Sequence, residues 1–222
     1  MITIIGAGLA GLSAAITLAE LGVRSNLVSR QSSERSQSVL AEGGVNAALD
    51  TMGEGDTWRE HCADTMRGGC GLADPNAVAG LTRAAPGIVN RLAALGVPFQ
   101  TENGRISLRS FGGQKKKRTA YAKSSTGKAL MTALIDEARK HEAAGLIRRL
   151  PHHELLALEV ESGVCRGARI RDLYTDAVFR CGAPVILCRG GLETVFTAAR
   201  GGSREIWPRE KRRRPFCLSL RR

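Results

Sequence analysis

Aromatic residues are scarce: two Trp, two Tyr and five Phe, 4% of the 222 residues. That leaves little from which to build the stacked platforms that single-stranded nucleic acids use. Six cysteines are present (Cys62, Cys70, Cys165, Cys181, Cys188 and Cys217), and none stands in C-x-x-C spacing. Their scatter speaks against a metal site or a disulfide framework, and fits a reducing cytoplasm. No apolar run approaches the ~20 residues of a membrane-spanning helix. A strand-like run already begins at residue 2, so no signal peptide is expected ahead of it. Acidic side chains are outnumbered, 21 against 33 Lys and Arg, for a net charge of +12. The excess is local. Eight basic and two acidic residues fall between Arg204 and Arg222, and Lys115-Lys116-Lys117-Arg118 forms a second cluster. Without interleaved aromatics, these clusters imply non-specific attraction to polyanions rather than sequence-specific nucleic-acid binding.

What the chain does have is glycine, 26 residues of it, and the first of them are ordered. Ile2 to Ile5 reads as a buried strand, being short, apolar and β-branched. It runs into Gly6-Ala7-Gly8-Leu9-Ala10-Gly11, and Leu9 to Leu21 reads as a helix closed by Gly22. Strand, G-x-G-x-x-G and helix together form the dinucleotide-binding pattern. Gly6 permits the tight turn, Gly8 lets a pyrophosphate approach the backbone, and Gly11 lets helix and strand pack closely. The free N–H groups of the helix start then face the phosphates.

A second strand should end, roughly 20 residues on, in an acid that holds a ribose hydroxyl. Arg24 to Ser29 is that strand, but it ends in Ser29-Arg30 with no carboxylate. Arg30 suits a 2′-phosphate, and Ser29 suits the ribose of a different dinucleotide. The motif by itself leaves NAD(P) and FAD open. Residues 30–49 follow, rich in Ser and Gly. Ser36 and Ser38 can donate to phosphate or ring oxygens, and Gly43-Gly44 allows close approach of a flat ring or another backbone.

The stretch Ser36-Gln37-Ser38-Val39-Leu40-Ala41-Glu42-Gly43-Gly44 resembles the flavin loop of the succinate dehydrogenase / fumarate reductase flavoprotein family, to which L-aspartate oxidase also belongs. The likeness continues through residues 56–75, Leu95-Gly96-Val97-Pro98-Phe99, Phe111-Gly112-Gly113, Arg118-Thr119 and Ser125 to Leu130. It reaches Val185-Ile186-Leu187 and Gly190-Gly191, about 200 residues in all. The resemblance implies FAD rather than NAD(P). It implies a Rossmann-type α/β domain over residues 1–202 with an inserted β-meander, in which the backbone around Glu154 and Leu155 meets the adenine side. Gly190 would let the cofactor pass, although Arg189 is bulky where the family carries Thr. Membrane-bound members attach FAD covalently through a histidine of the flavin loop. Gln37 occupies that place, and a carboxamide is no such nucleophile, so FAD should bind non-covalently.

Other segments carry local signals. Asp56 is a candidate cap for a helix from Thr57 to about Arg67, with His61 as a surface or capping histidine. Asp74-Pro75 opens a stretch to Leu95 that reads as one interrupted helix or two, with Pro86 as the restart. Residues 97–125 read as irregular, with short strand-like pieces around Arg105 to Leu108. Phe111 is a candidate for the substrate side of the flavin or else a core residue. Lys115 to Arg118 would attract a dianion or form a solvated basic loop, which makes Arg118 the second catalytic candidate. Ser125 or Thr126 caps a helix to about Ala143. Strands follow at Leu155 to Val160, Cys165 to Leu173 and Ala177 to Arg180. His152 and His153 should face opposite sides of a strand, so no metal site is expected.

After Gly202 the likeness stops. Residues 203–222 have the composition of a disordered tail, or of an out-of-frame read of the gene. On this reading the domain is truncated before the family's capping domain and main catalytic residues. Intact members of the family act on a dicarboxylate, and the resemblance implies an iron–sulfur electron-transfer subunit as partner. The chain would be cytoplasmic and membrane-associated only through such a partner. The rival expectation is a non-catalytic FAD-binding or interaction fragment whose basic tail finds polyanions.

Overall fold

The structure is a computed structural model and describes residues 1–188. Arg189, Gly190, Gly191, Cys217 and the basic tail of residues 203–222 lie outside the described residues. In chain order the elements are β1 (Ile2–Ile5), α1 (Leu9–Glu20), β2 (Ser25–Val28), β3 (Val45–Asn46), α2 (Trp58–Gly68) and α3 (Pro75–Ala94). Next come β4 (Thr101–Glu102), β5 (Arg105–Ile106), β6 (Leu108–Arg109), β7 (Thr119–Ala120) and α4 (Thr126–Ala143). The series ends with β8 (Ile147–Leu150), β9 (His153–Glu161), β10 (Val164–Asp172), β11 (Val178–Gly182) and β12 (Val185–Leu187).

The central sheet has the order β12-β1-β2-β8, and every neighbouring pair is parallel. Its residues alternate between two apolar layers, as the period-2 geometry of strands requires. Ile4, Leu27 and Ile147 face α1 and α4 through Leu12, Ile16, Leu130, Met131, Leu134 and Ala138. Ile5, Val28 and Leu150 face the other way, onto Ala168, Ile170 and Cys181 of an antiparallel sheet ordered β11-β10-β9. Thr3 joins that second layer, and its hydroxyl donates to the Gly182 carbonyl at 3.0 Å. Ile4, Leu12 and Ile16 are wholly buried, and each such aliphatic side chain contributes on the order of 1.5–3 kcal/mol. This is the expected α/β architecture with an inserted meander, whose first and third strands are longer than the sequence suggested.

Three helices differ from their reading. Thr57, not Asp56, caps α2, its hydroxyl accepting from the Glu60 N–H at 3.3 Å. Asp56 instead points inward to an ion pair. α3 is one continuous helix rather than an interrupted one, although Pro86 lies inside it. Val78, Thr82, Ala85, Val89 and Leu92 keep one buried face across the proline, and that tertiary burial outweighs the lost hydrogen bond. Asp74 does cap α3, accepting from Asn76 N–H at 2.8 Å. At α4 neither predicted cap acts: Ser125 makes no side-chain cap bond, and the Thr126 hydroxyl accepts from the Ala122 N–H at 3.1 Å.

A third sheet, β3-β7-β6, is small and antiparallel. It lies just beyond the Gly43-Gly44 pair, so it carries the loop that borders the site.

Candidate functional site

The site begins where β1 ends. Gly6 turns the chain with φ +109°, a conformation that favours glycine. A Cβ on Gly11 would overlap the Gly6 carbonyl oxygen, so α1 can approach β1 only without one. The first turn of α1 carries no acidic residue. Ala7, Gly8, Ala10 and Gly11 have N–H groups that make no hydrogen bond among the described residues. The Leu9 N–H is directed to the Ser38 Oγ at 3.3 Å. A Cβ on Gly8 would stand 3.0 Å from that same Oγ. Glycine turn and flavin loop thus border one space. Its floor is a row of free N–H groups at the positive end of a helix.

The carboxyl ends of β1, β2 and β12 meet at this edge, since the Gly6 N–H donates to Val28 O at 2.8 Å and the Cys188 N–H to Ile5 O at 2.7 Å. β1 lies where the strand order reverses, with β2 on one side and β12 on the other. Ligands of open α/β sheets sit outside such a switch point. A cleft of about 360 Å³ opens beside the glycine turn, at the ends of β2 and β8, lined by Ala7, Ser29, Ser32, Ser33, Arg149 and Pro151 among others. A larger cavity of about 410 Å³ lies between Leu95-Gly96 and α4. It touches no part of the glycine turn, whereas the smaller cleft includes Ala7 of that turn.

At the end of β2 the Ser29 hydroxyl donates to Gln31 O at 2.7 Å. A carboxylate from another strand does stand near the end of β2. The His153 N–H donates to Ser29 O at 2.9 Å, which brings Glu154, one residue along β9, to this edge. Arg30 stands 3.6 Å from the Glu154 carboxylate, and Arg171 is bonded to it as well. Arg30 is therefore not a free phosphate ligand. Leu155 packs into the apolar layer between meander and central sheet.

The flavin loop holds a short helical turn, Gln37–Leu40, with Gln37 and Glu42 exposed. The Ser36 Oγ is buried without a partner, an orphaned polar atom in the loop. Gly127, in the first turn of α4, donates its N–H to Ala41 O at 2.6 Å. A Cβ on Gly127 would overlap the Ser38 carbonyl. At Gly44, φ is +108°, and a Cβ would stand 2.6 Å from the Ala120 carbonyl oxygen. Phe111 is not a core residue. It is 54% exposed, and its ring would lie 3.3 Å from a Cβ on Gly43. One residue not singled out from the sequence meets this loop. Arg109 donates to the carbonyls of Glu42 and Gly43 at 3.3 and 2.8 Å, and its guanidinium lies 4.4 Å from the Tyr121 ring centroid.

Arg118 is a correction. Rather than facing a substrate, it is wholly buried. Its guanidinium lies 2.9 Å from Asp56 Oδ1 and 3.1 Å from Asp64 Oδ2. The lysines beside it are partnered too. The Lys115 and Lys117 N–H groups donate to Asp64 and Glu54, and Lys116 Nζ donates to the Glu54 carbonyl at 2.5 Å. Lys115 and Lys117 nonetheless stay exposed and are held through their backbone N–H groups, so of this cluster the arginine alone is withdrawn from the surface. His61 is likewise neither surface nor cap: it is buried beside this group. Burial, and then the Arg118 charge, push its pKa below the ordinary 6.5. Burial also drives Asp56 above the usual carboxylate value against the pull of Arg118. For Asp64, burial opposes the Lys115 N–H and the Arg118 and Arg67 charges, and the balance lowers its pKa. Among the described residues, no group of three or more His, Cys, Asp or Glu could hold a metal ion. No described helix is long and apolar enough to cross a membrane.

Fold, switch point and glycine turn define a dinucleotide-binding α/β flavoprotein domain. A family model described as FAD binding domain matches residues 2–207, and the chain belongs to that family, with FAD as its cofactor. The succinate dehydrogenase flavoprotein subunit of Bacillus subtilis (strain 168) is 40% identical over 199 residues, 88% of this chain and 34% of that protein. The 8-methylmenaquinol:fumarate reductase flavoprotein subunit of Wolinella succinogenes is 33% identical over 88% of this chain and 32% of its own length. Among solved structures, the apo Sdh1 complex of Mycobacterium smegmatis superposes with a TM-score of 0.81 at 31% identity, covering 86% of this chain and 34% of that one. An E. coli quinol fumarate reductase gives 0.80 at 29% identity, covering 86% and 32%. The chain spans about a third of the length of the relatives it matches.

Proposed function

We propose that residues 1–202 hold FAD without a covalent link and serve as the flavin-binding unit of a succinate dehydrogenase / fumarate reductase-type oxidoreductase acting on a C4 dicarboxylate. One observation carries the reading: the N–H groups of Ala7, Gly8, Ala10 and Gly11, unbonded among the described residues, at the sheet's switch point. They suit the pyrophosphate. Ser38 borders the same space, Glu154 and Ser29 suit the adenosine end, and Gly43-Gly44 suits the ring. Gly190, outside the described residues, belongs to the same expectation. When bound, FAD supplies a two-electron acceptor able to exchange hydride with a carbon–carbon bond. The chain's part is to seat and orient it.

Relatives named for succinate and fumarate support the dicarboxylate. Their description as flavoprotein subunits supports an electron-transfer partner, which we take to carry iron–sulfur clusters, and through which a cytoplasmic chain would reach a membrane. Titration of the purified apo-chain with FAD, followed by flavin fluorescence, tests the core of the reading. Saturable quenching at one FAD per chain is expected; unchanged fluorescence at micromolar chain and FAD would overturn it.

A further inference from the structure

We infer that Arg109 is a positioning residue for the flavin: it sets the direction of two successive peptide N–H groups, those of Gly43 and Gly44. The inference rests on the flavin reading above. Arg109 sits on β6, where it pairs with Thr119 of the central strand β7. From there its guanidinium crosses to the loop before β3 and takes both the Glu42 and the Gly43 carbonyls on one nitrogen. Tyr121, just past β7, supports the group from its ring face, as a cation over an aromatic face is attracted by it. A planar cation with fixed donors suits this double contact better than an ammonium would.

The peptide geometry supplies the consequence. In a trans peptide, C=O and N–H point in opposite directions. With the Glu42 and Gly43 carbonyls drawn toward Arg109, the N–H groups of Gly43 and Gly44 are turned away from it. Neither makes a hydrogen bond among the described residues. Two adjacent donors with no partner form a small anion-seeking concavity. A flavin gains negative charge on its ring when reduced, so donors fixed at the ring favour the reduced form. Arg109 would then tune how readily the cofactor takes electrons without touching it.

The test uses the full chain loaded with FAD, and compares the wild type with Arg109→Met, Arg109→Lys and Tyr121→Leu. Each is equilibrated anaerobically with a reference dye and a limiting reductant, and the flavin and dye spectra give the reduction equilibrium. Arg109→Met should lower the equilibrium constant about tenfold, which is about 30 mV for a two-electron couple. Tyr121→Leu keeps every guanidinium donor and should shift it the same way by a smaller factor. It also supplies the answer should Arg109→Met not fold. Arg109→Lys should recover part of the loss. Folded variants that hold FAD with the wild-type equilibrium would overturn the role of Arg109 and leave the flavin reading intact. A wild-type chain that takes up no FAD would overturn both.

Discussion

Arg118 and Asp56 stand 2.9 Å apart, with side chains 0% and 1% exposed. The pair joins the residue just ahead of β7, the partner strand of β3, to the turn that leads into α2. Asp64 closes the group from within α2 at 3.1 Å. A charge this deep is tolerated only because opposite charges accompany it.

Removing the cation alone should therefore be costly. Arg118→Met leaves two carboxylates facing each other in an apolar setting, and we expect a loss of about 3–5 kcal/mol. Urea unfolding followed by circular dichroism measures it. The triple variant Arg118→Met, Asp56→Leu, Asp64→Leu should recover much of the loss, because no unpaired charge remains. A single variant as stable as wild type would show that the pair contributes nothing.

His61 makes stability depend on pH. Its folded pKa is lowered, so below the ordinary 6.5 the unfolded chain binds the proton more readily. Stability from this group is complete above pH ~6.5 and declines as pH falls toward the folded pKa. Asp64, also lowered, adds a further decline below about pH 4, while the raised Asp56 acts in the opposite sense. His61→Gln should flatten the slope of the urea midpoint between pH 6.5 and 5. An unchanged slope would assign it to other groups.

Gly8→Val should weaken FAD binding at least tenfold, on the order of 1.4 kcal/mol. Its branched side chain would enter the gap between α1 and Ser38, already only 3.0 Å from a bare Cβ. Apo-protein titration decides, and unchanged affinity in a folded variant would move the pyrophosphate elsewhere.

Acid precipitation of the FAD-loaded chain should leave all flavin in the supernatant, because Gln37 offers no nucleophile. Yellow colour persisting in the washed pellet would show a covalent bond at another residue.

Much of this was legible in the chain. The run Ile2 to Ile5 followed by three spaced glycines announces a strand, a turn and a helix through local sterics alone. Asp74-Pro75 announces a helix start for the same reason. Arg118 was not legible: its run with three lysines reads as surface charge, and its partners Asp56 and Asp64 lie more than fifty residues earlier. Periodicity carries no record of such pairings. Asp56 and Thr57 are both good caps, and only the buried arginine decides which one caps. Arg109 escaped notice because a backbone carbonyl, its target, has no side-chain signature.

The loop that would meet the flavin is a strap fastened at both ends to helix starts. α1 holds it at Ser38 through the Leu9 N–H, and α4 holds it at Ala41 through the Gly127 N–H. Each helix directs its electropositive tip at the loop's own oxygens. At α4 the fit is close enough to exclude a single methyl group. An arriving cofactor thus meets a surface whose ordering has already been settled by folding. Less freedom is left to lose on association, and less of the binding energy is diverted to restraining the loop.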